Sequence, residues 1–188
     1  MIALTRQTLA VAAILTVHGG PAERAAAQEL TGFRADLISH LTEVEEKYVA
    51  LAEVLSRDQY AWSPMEGVRT AGEVFMHIAG ANVLFPSFLG IEPTDDIPEA
   101  LTSGGENPEV PGKAEVIVAL HAAFEHARSA VGAVSDEDLD RPTTMFGRPS
   151  TYRAVLLNMT THCHEHLGQQ VAYARANGVI PPWSMGAR

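Results

Sequence analysis

The chain has 188 residues, with 13 Lys and Arg against 23 Asp and Glu, and a formal net charge of −10. An acidic chain without a basic run is a poor candidate for sequence-independent nucleic-acid binding, which depends on Lys and Arg contacts to phosphates. The length favours one domain with one sizeable core, and the single cysteine excludes an internal disulfide.

The first 27 residues have the order of a secretory signal. Arg6 precedes an uncharged, mostly apolar run over residues 8–17, and three alanines at 25–27 supply small residues for a cleavage site. A run of this length is too short to span a bilayer, which takes about 20 apolar residues. We therefore expect residues 1–27 to be a cleaved signal peptide, residues 28–188 to form the mature domain, and the protein to be exported to the periplasm or the extracellular space. An uncleaved anchor, an ordinary N-terminal helix and a mis-assigned start remain alternatives.

Four segments of the mature chain carry apolar residues at alternating steps of three and four, as helices with one face in a core do. We predict helices over residues 29–57, 70–88, 113–134 and about 150–177, and no strands. Residues 90–112 are rich in Pro, Gly and acidic side chains and predict a long crossover. The fold class is therefore all-α, a four-helix bundle with the crossover between helices 2 and 3.

The second predicted helix begins with a capping-box spacing. Thr70 is a candidate N-cap, and Glu73 follows three residues later. Glu73 also lies one turn before His77, so its carboxylate has a second possible role beside a metal ion.

The last predicted helix carries the chemistry-bearing segment His-Cys-His-Glu-His-Leu-Gly-Gln at residues 162–169. His162 and His166 are four residues apart and share the inward face of that helix. His164 points to the other side, and we interpret it as a surface residue. Cys163 lies one residue off the inward face and fits a packing role better than that of a ligand or nucleophile.

A metal site with an open position usually has three protein ligands, so a third should come from another helix. His77 is the best candidate, because it lies on the inward face of the second helix with Gly80 one turn beyond it. Three imidazoles would suit Zn, Ni, Fe or Mn. The competing interpretation is a set of hydrogen-bonded structural histidines. His40, His121 and His126 are interpreted as surface or boundary residues.

Three stretches resemble the DinB-like (DinB/YfiT-type) metalloenzyme family. They are residues 67–82, which contain His77, the segment 162–169, and the tail 173–182. The resemblance covers nearly all of the mature domain. It implies an up-down-down-up bundle, often dimeric, with one histidine from the second helix and two from the fourth on a divalent ion. By position these are His77, His162 and His166, and Gln169 matches the family's glutamine after the last histidine.

Activities in this family include thiol-dependent transferases and isomerases. Their thiol cofactors are cytoplasmic, whereas this chain carries an export-like N-terminus, so the resemblance supplies no substrate. We expect a metal-dependent hydrolase or transferase acting on a small molecule, with Glu73, Glu165 or Asn158 as candidates to hold or deprotonate a water molecule. A protein that binds metal or a small ligand without turnover, and a structural bundle with a vestigial site, are the alternatives.

Overall fold

The computed structural model describes residue 30, residues 32–102 and residues 111–185. The predicted signal peptide lies outside the described residues. The elements in chain order are α1 (Gly32–Val54), α2 (Arg57–Tyr60), α3 (Ala71–Ser87), α4 (Glu99–Thr102), α5 (Lys113–Ala133), β1 (Pro142–Met145), β2 (Arg148–Thr151), α6 (Tyr152–Ala176) and a 3₁₀ turn (Pro182–Ser184).

The four long helices α1, α3, α5 and α6 form the predicted bundle, in up-down-down-up order. α1 and α3 each pack against both α5 and α6, and the most extensive of these contacts joins α3 to α5. The crossover between α3 and α5 is long because both helices run in the same direction, and its described part includes α4. Within the described ranges, no helix is long and apolar enough to cross a bilayer.

The start of α3 is fixed by the predicted capping box. The Thr70 hydroxyl accepts a hydrogen bond from the Glu73 backbone N–H, and the Glu73 carboxylate accepts one from the Thr70 N–H at 2.6 Å. Together these contacts satisfy two backbone donors that a helix N-terminus would otherwise leave unpaired. The cap thus sets the position of His77, which follows two turns later in the same helix.

Residues 142–151 form a β-hairpin, although no strand was predicted. β1 and β2 pair antiparallel, from Pro142 opposite Thr151 to Met145 opposite Arg148. Both turn residues have positive φ, 50° at Phe146 and 75° at Gly147, as a type I′ turn requires. The prediction of no strands was wrong because both strands are short and each contains a proline. The turn also has Phe-Gly in place of the Asn-Gly pair that usually indicates a hairpin.

Buried side-chain hydrogen bonds hold α6 against its two neighbours. The Tyr48 hydroxyl of α1 donates to the Cys163 carbonyl at 2.8 Å, and the Gln170 amide donates to the Ala71 carbonyl of α3 at 2.7 Å. Tyr48 and Gln170 are both fully buried. Each such bond contributes about 1 kcal/mol net, and their larger effect is to favour one alignment of α6 along α1 and α3.

Cys163 lies inside this contact between α3 and α6, as the packing interpretation predicts. Its side chain is fully buried, and its Sγ donates to Asn82 Oδ1 at 3.2 Å. Burial raises the pKa of the Cys163 thiol to about 12. At neutral pH the group is therefore a protonated thiol, which is neither a good nucleophile nor a ready metal ligand.

We predict that Cys163 does not react with Ellman's reagent in the native protein between pH 7 and 9, because the thiolate form is suppressed and the sulfur is covered. In a chemical denaturant the same protein should release one equivalent of the coloured product, which serves as the internal control. Fast stoichiometric reaction without denaturant would contradict the buried packing role.

Candidate metal centre

The structure brings the three candidate ligands together. His162 and His166 lie on one face of α6, and His77 faces them from α3. Ring centroids are 5.2 Å apart for His77 and His162, 4.9 Å for His77 and His166, and 4.5 Å for His162 and His166. Each ring offers one nitrogen, and these atoms all lie within 4.8 Å of one another. A single divalent ion could lie among them.

The surroundings of the triad lower the pKa of two of its imidazoles, those of His77 and His162. Burial, followed by the charges of Arg69 and the other two histidines, lowers the pKa of His77 from 6.5 to about 4. Burial also lowers the pKa of His162; His166 and Arg69 act in the same direction, while the Glu165 carboxylate opposes the shift. A neutral imidazole keeps the lone pair that a metal ion needs, so these two rings suit metal binding at neutral pH.

Gln169 supports His166 from outside the triad. His166 Nδ1 lies 2.6 Å from Gln169 Oε1, and Gln169 Nε2 donates to the Tyr173 hydroxyl at 2.8 Å. A carbonyl oxygen can only accept, so this arrangement assigns the hydrogen to Nδ1 and leaves Nε2 free as a ligand. Tyr173 is in turn packed edge-on against Trp62, with centroids 5.3 Å apart. The contact explains the glutamine three residues after His166 as an orienting residue.

A cavity of about 370 Å³ opens beside the triad, between α3, α6 and the hairpin turn. His77 and His162 are part of its wall. The other residues that line it are Gly80, Ala81, Leu84, Phe85, Phe146, Asn158, Thr161 and Glu165. Its volume lies near the lower end of the range for small-molecule sites.

The two candidate carboxylates occupy different surroundings. Glu73 is used at the cap of α3, whereas Glu165 is exposed on α6 and lines the cavity. Asn158 also lines the cavity. Its Nδ2 donates to the Ala154 carbonyl at 2.7 Å, so its amide oxygen is not used in that hydrogen bond. Of the two acidic candidates, Glu165 is the one beside the space that a substrate could occupy.

The other histidines within the described residues lie outside the triad. His40 and His164 are exposed and pack edge to face at 5.6 Å, and exposed His121 contacts Glu45 at 2.8 Å. His126 was expected at the surface or boundary, and this was wrong: it is only 7% exposed. The reason is that α5 packs against both α1 and α3, which makes its buried face wider than one stripe.

Sequence reasoning missed Phe146, the aromatic residue at the hairpin turn that reaches the cavity. Its ring lies 6.0 Å from Phe85 and 4.9 Å from Phe88, centroid to centroid. Only the flanking threonines, which favour strands, could have signalled the hairpin. Arg69 was also not singled out, although its charge acts on His77 and His162.

Several known proteins are similar to this chain in sequence and in fold. The DinB superfamily matches residues 40–170. The uncharacterized protein YjoA of Bacillus subtilis is 28% identical over 145 residues, which are 76% of this chain and 89% of that protein. The crystal structure of YjoA, a DinB-like protein, aligns at 25% identity with a TM-score of 0.59, covering 77% of this chain and 93% of its own.

Two further solved structures share the fold at lower identity. A DinB-like protein from Bacillus cereus aligns at 21% identity with a TM-score of 0.67, covering 79% of this chain and 95% of its own. YfiT of Bacillus subtilis, described as a probable metal-dependent hydrolase with an unusual four-helix bundle topology, aligns at 17% with a TM-score of 0.62, covering 82% and 93%. Because the family match spans well over half of the sequence, the chain belongs to the DinB superfamily.

Proposed function

We propose that this protein is a metal-dependent enzyme, a hydrolase or a transferase, whose divalent ion is held by His77, His162 and His166. The observation that carries the proposal is the meeting of three imidazole nitrogens within 4.8 Å beside a cavity of small-molecule size. The fold likeness to YfiT, described as a probable metal-dependent hydrolase, supports it. Zn, Ni, Fe and Mn all suit this ligand set, because nitrogen ligands alone select weakly among them.

When bound, the ion supplies Lewis-acid chemistry, polarising a carbonyl or phosphoryl group and making a nucleophile available near neutral pH. The protein's own part is to bring three imidazole rings together in one place. The low pKa of His77 keeps that ring unprotonated, and Gln169 fixes which nitrogen of His166 faces the site. Ligands that are already unprotonated and oriented bind a metal ion without first losing a proton or rotating.

Glu165 is the residue we assign to proton transfer. Its carboxylate lines the cavity and is close enough to His162 to act on the pKa of that ring. An exposed carboxylate beside a substrate cavity can accept a proton from water and return it to a leaving group. Glu73 is less suited to this role because its carboxylate caps α3. Asn158, on the same wall, is placed to orient the reacting group.

We predict that the wild-type protein, purified without an affinity tag or chelator, binds one equivalent of a divalent ion. His166→Ala should reduce this to background, because two remaining imidazoles hold an ion poorly. His164→Ala is the matched control: it removes a histidine two residues away in the same helix but outside the triad. The measurement is mass-spectrometric metal content after reconstitution. Full metal content in His166→Ala would refute the ligand assignment.

We predict that Glu165→Gln retains the ion and lowers turnover by about 10²-fold or more, the typical contribution of a general base. Turnover is measured on a panel of activated esters, amides and phosphoesters, and all activity should disappear in His166→Ala. Unchanged turnover in Glu165→Gln would remove that residue from the mechanism. Metal-loaded wild-type protein that turns over no member of the panel, yet binds them, would favour a ligand-binding protein.

We further propose that the protein is exported and that residues 1–27 are removed. The support is the basic start, the apolar run and the three alanines at 25–27. We predict that the protein secreted or released from the periplasm begins at Gln28, which N-terminal sequencing would detect. A cell-associated chain that retains residue 1 would contradict cleavage. The homodimer implied by the family resemblance stays a prediction.

A further inference from the structure

The hairpin turn holds a bulky residue in a backbone conformation that does not suit it. Phe146 has a φ of 50°, in the left-handed region that Gly and Asn adopt far more readily than aromatic residues. The second turn residue, Gly147, has no such penalty at 75°. A type I′ turn would form more easily with Asn at position 146. The turn alone therefore gives no reason for a phenylalanine.

Burial in the core also gives no reason for this side chain. Phe146 is 62% exposed, so most of its apolar surface remains in contact with solvent. The hairpin that carries it is nevertheless tied to the end of α3: Thr143 Oγ1 donates to the Phe88 carbonyl at 2.6 Å, and the Tyr152 hydroxyl donates to the Leu89 carbonyl at 3.2 Å. These bonds hold the exposed ring at a defined place.

That place is the edge of the cavity beside the triad. The Phe146 ring lies 6.0 Å from Phe85, and the Phe85 ring lies 5.7 Å from His162. Leu84 adds a further apolar surface from α3, and it too is exposed, at 41%. An apolar wall thus runs from a candidate metal ligand to the hairpin. An exposed, concave apolar surface next to a polar centre is typical of a small-molecule site.

The opposite wall of the cavity has different chemistry. Asn158, Thr161 and Glu165 come from successive turns of α6 and carry an amide, a hydroxyl and a carboxylate. The cavity therefore has one face that can hold hydrocarbon, one face that can hydrogen-bond, and imidazoles next to both. A volume of about 370 Å³ suits a small molecule and leaves little room for a polymer chain.

We propose that the substrate is a small molecule with an aromatic or branched-alkyl body and a metal-coordinating polar group. The body lies against Leu84, Phe85 and Phe146, and the polar group faces the triad. Phe146 is the residue that selects the body. This inference rests on the proposed metal centre, and it adds the class of substrate and a specificity-determining residue.

The test uses two hydroxamates with the same metal-binding group. Benzohydroxamate carries a phenyl ring and acetohydroxamate a methyl group. Binding to the zinc-loaded protein, with zinc content verified first, is measured by titration calorimetry. We expect wild type to bind benzohydroxamate about tenfold more tightly than acetohydroxamate. Phe146→Asn should weaken the binding of benzohydroxamate about fivefold to tenfold, the range of one aromatic contact, and leave the binding of acetohydroxamate unchanged.

Two controls separate the ring from the fold. Phe146→Asn should change the melting temperature of the metal-free protein by no more than about 2 °C, because the better fit of Asn to the left-handed turn offsets the lost ring contacts with Phe85 and Phe88. This readout does not depend on metal or activity, and a small change shows that the fold is intact. Leu157 of α6 is also an exposed apolar side chain, at 47%, and it lies outside the cavity wall. Leu157→Ala should change the binding of neither hydroxamate.

Each outcome has one meaning. If the wild type takes up no zinc, the metal centre fails and both proposals fall. If it holds zinc but binds neither hydroxamate, the metal centre stands and the substrate class is wrong. If both bind equally, or if Phe146→Asn leaves their ratio unchanged, the metal centre stands and the substrate class is wrong. A change of sedimentation coefficient in Phe146→Asn, with hydroxamate binding intact, would mean that the ring covers a contact between copies of the chain, which also overturns the proposal.

Discussion

The alignment of α6 along α3 is the constraint on which the candidate site depends. His77 comes from one helix and His162 and His166 from the other, so the three rings meet in a single alignment. A shift of α6 by one residue would turn its side chains by about 100° and remove both histidines from the face toward α3. The Gln170 amide on the Ala71 carbonyl fixes this alignment directly. The Tyr48 hydroxyl on the Cys163 carbonyl holds the same stretch of α6 against α1.

The bundle can accommodate the polar rings of the triad because the surrounding residues and the cavity give each ring a partner or access to solvent. Polar groups taken out of water need partners, and imidazoles in place of core leucines would otherwise weaken the bundle. The triad lies at the edge of the core, where its rings contact one another, Phe85 and a cavity open to solvent. Gln169 supplies a hydrogen-bond partner to His166. Cys163, one residue from His162, is a fully buried packing group, so neighbouring positions of one helix serve opposite purposes.

Helical periodicity was sufficient to predict the bundle and to single out His77, His162 and His166 as a candidate ligand set. The spacing of His162 and His166 puts them on one face of any helix, and the same period puts His77 on the inward face of another. The cap at Thr70 followed from its three-residue spacing to Glu73, and the structure assigns Glu73 to it. These features are local, so the sequence determines them without knowledge of tertiary contacts.

The features that were missed depend on contacts between distant segments. The hairpin is stabilised by hydrogen bonds to the end of α3, some 55 residues earlier, which no local pattern reveals. His126 is buried because α5 has two helical neighbours, and its period alone predicts only one buried stripe. The role of Gln169 required the position of the His166 ring. The sequence therefore predicted the histidine cluster, while the cavity wall and the orienting contacts required the fold.

X-ray absorption at the zinc edge of the reconstituted wild-type protein tests the central claim most directly. The account predicts a first shell of nitrogen and oxygen at about 2.0–2.1 Å, with outer-shell scattering from three imidazoles and no sulfur. A sulfur neighbour at about 2.3 Å would contradict it. Within residues 162–169, Cys163 is the one side chain that could supply such a sulfur. Scattering from fewer than three imidazoles would contradict it equally, because at least one of the three histidines would then not share the ion.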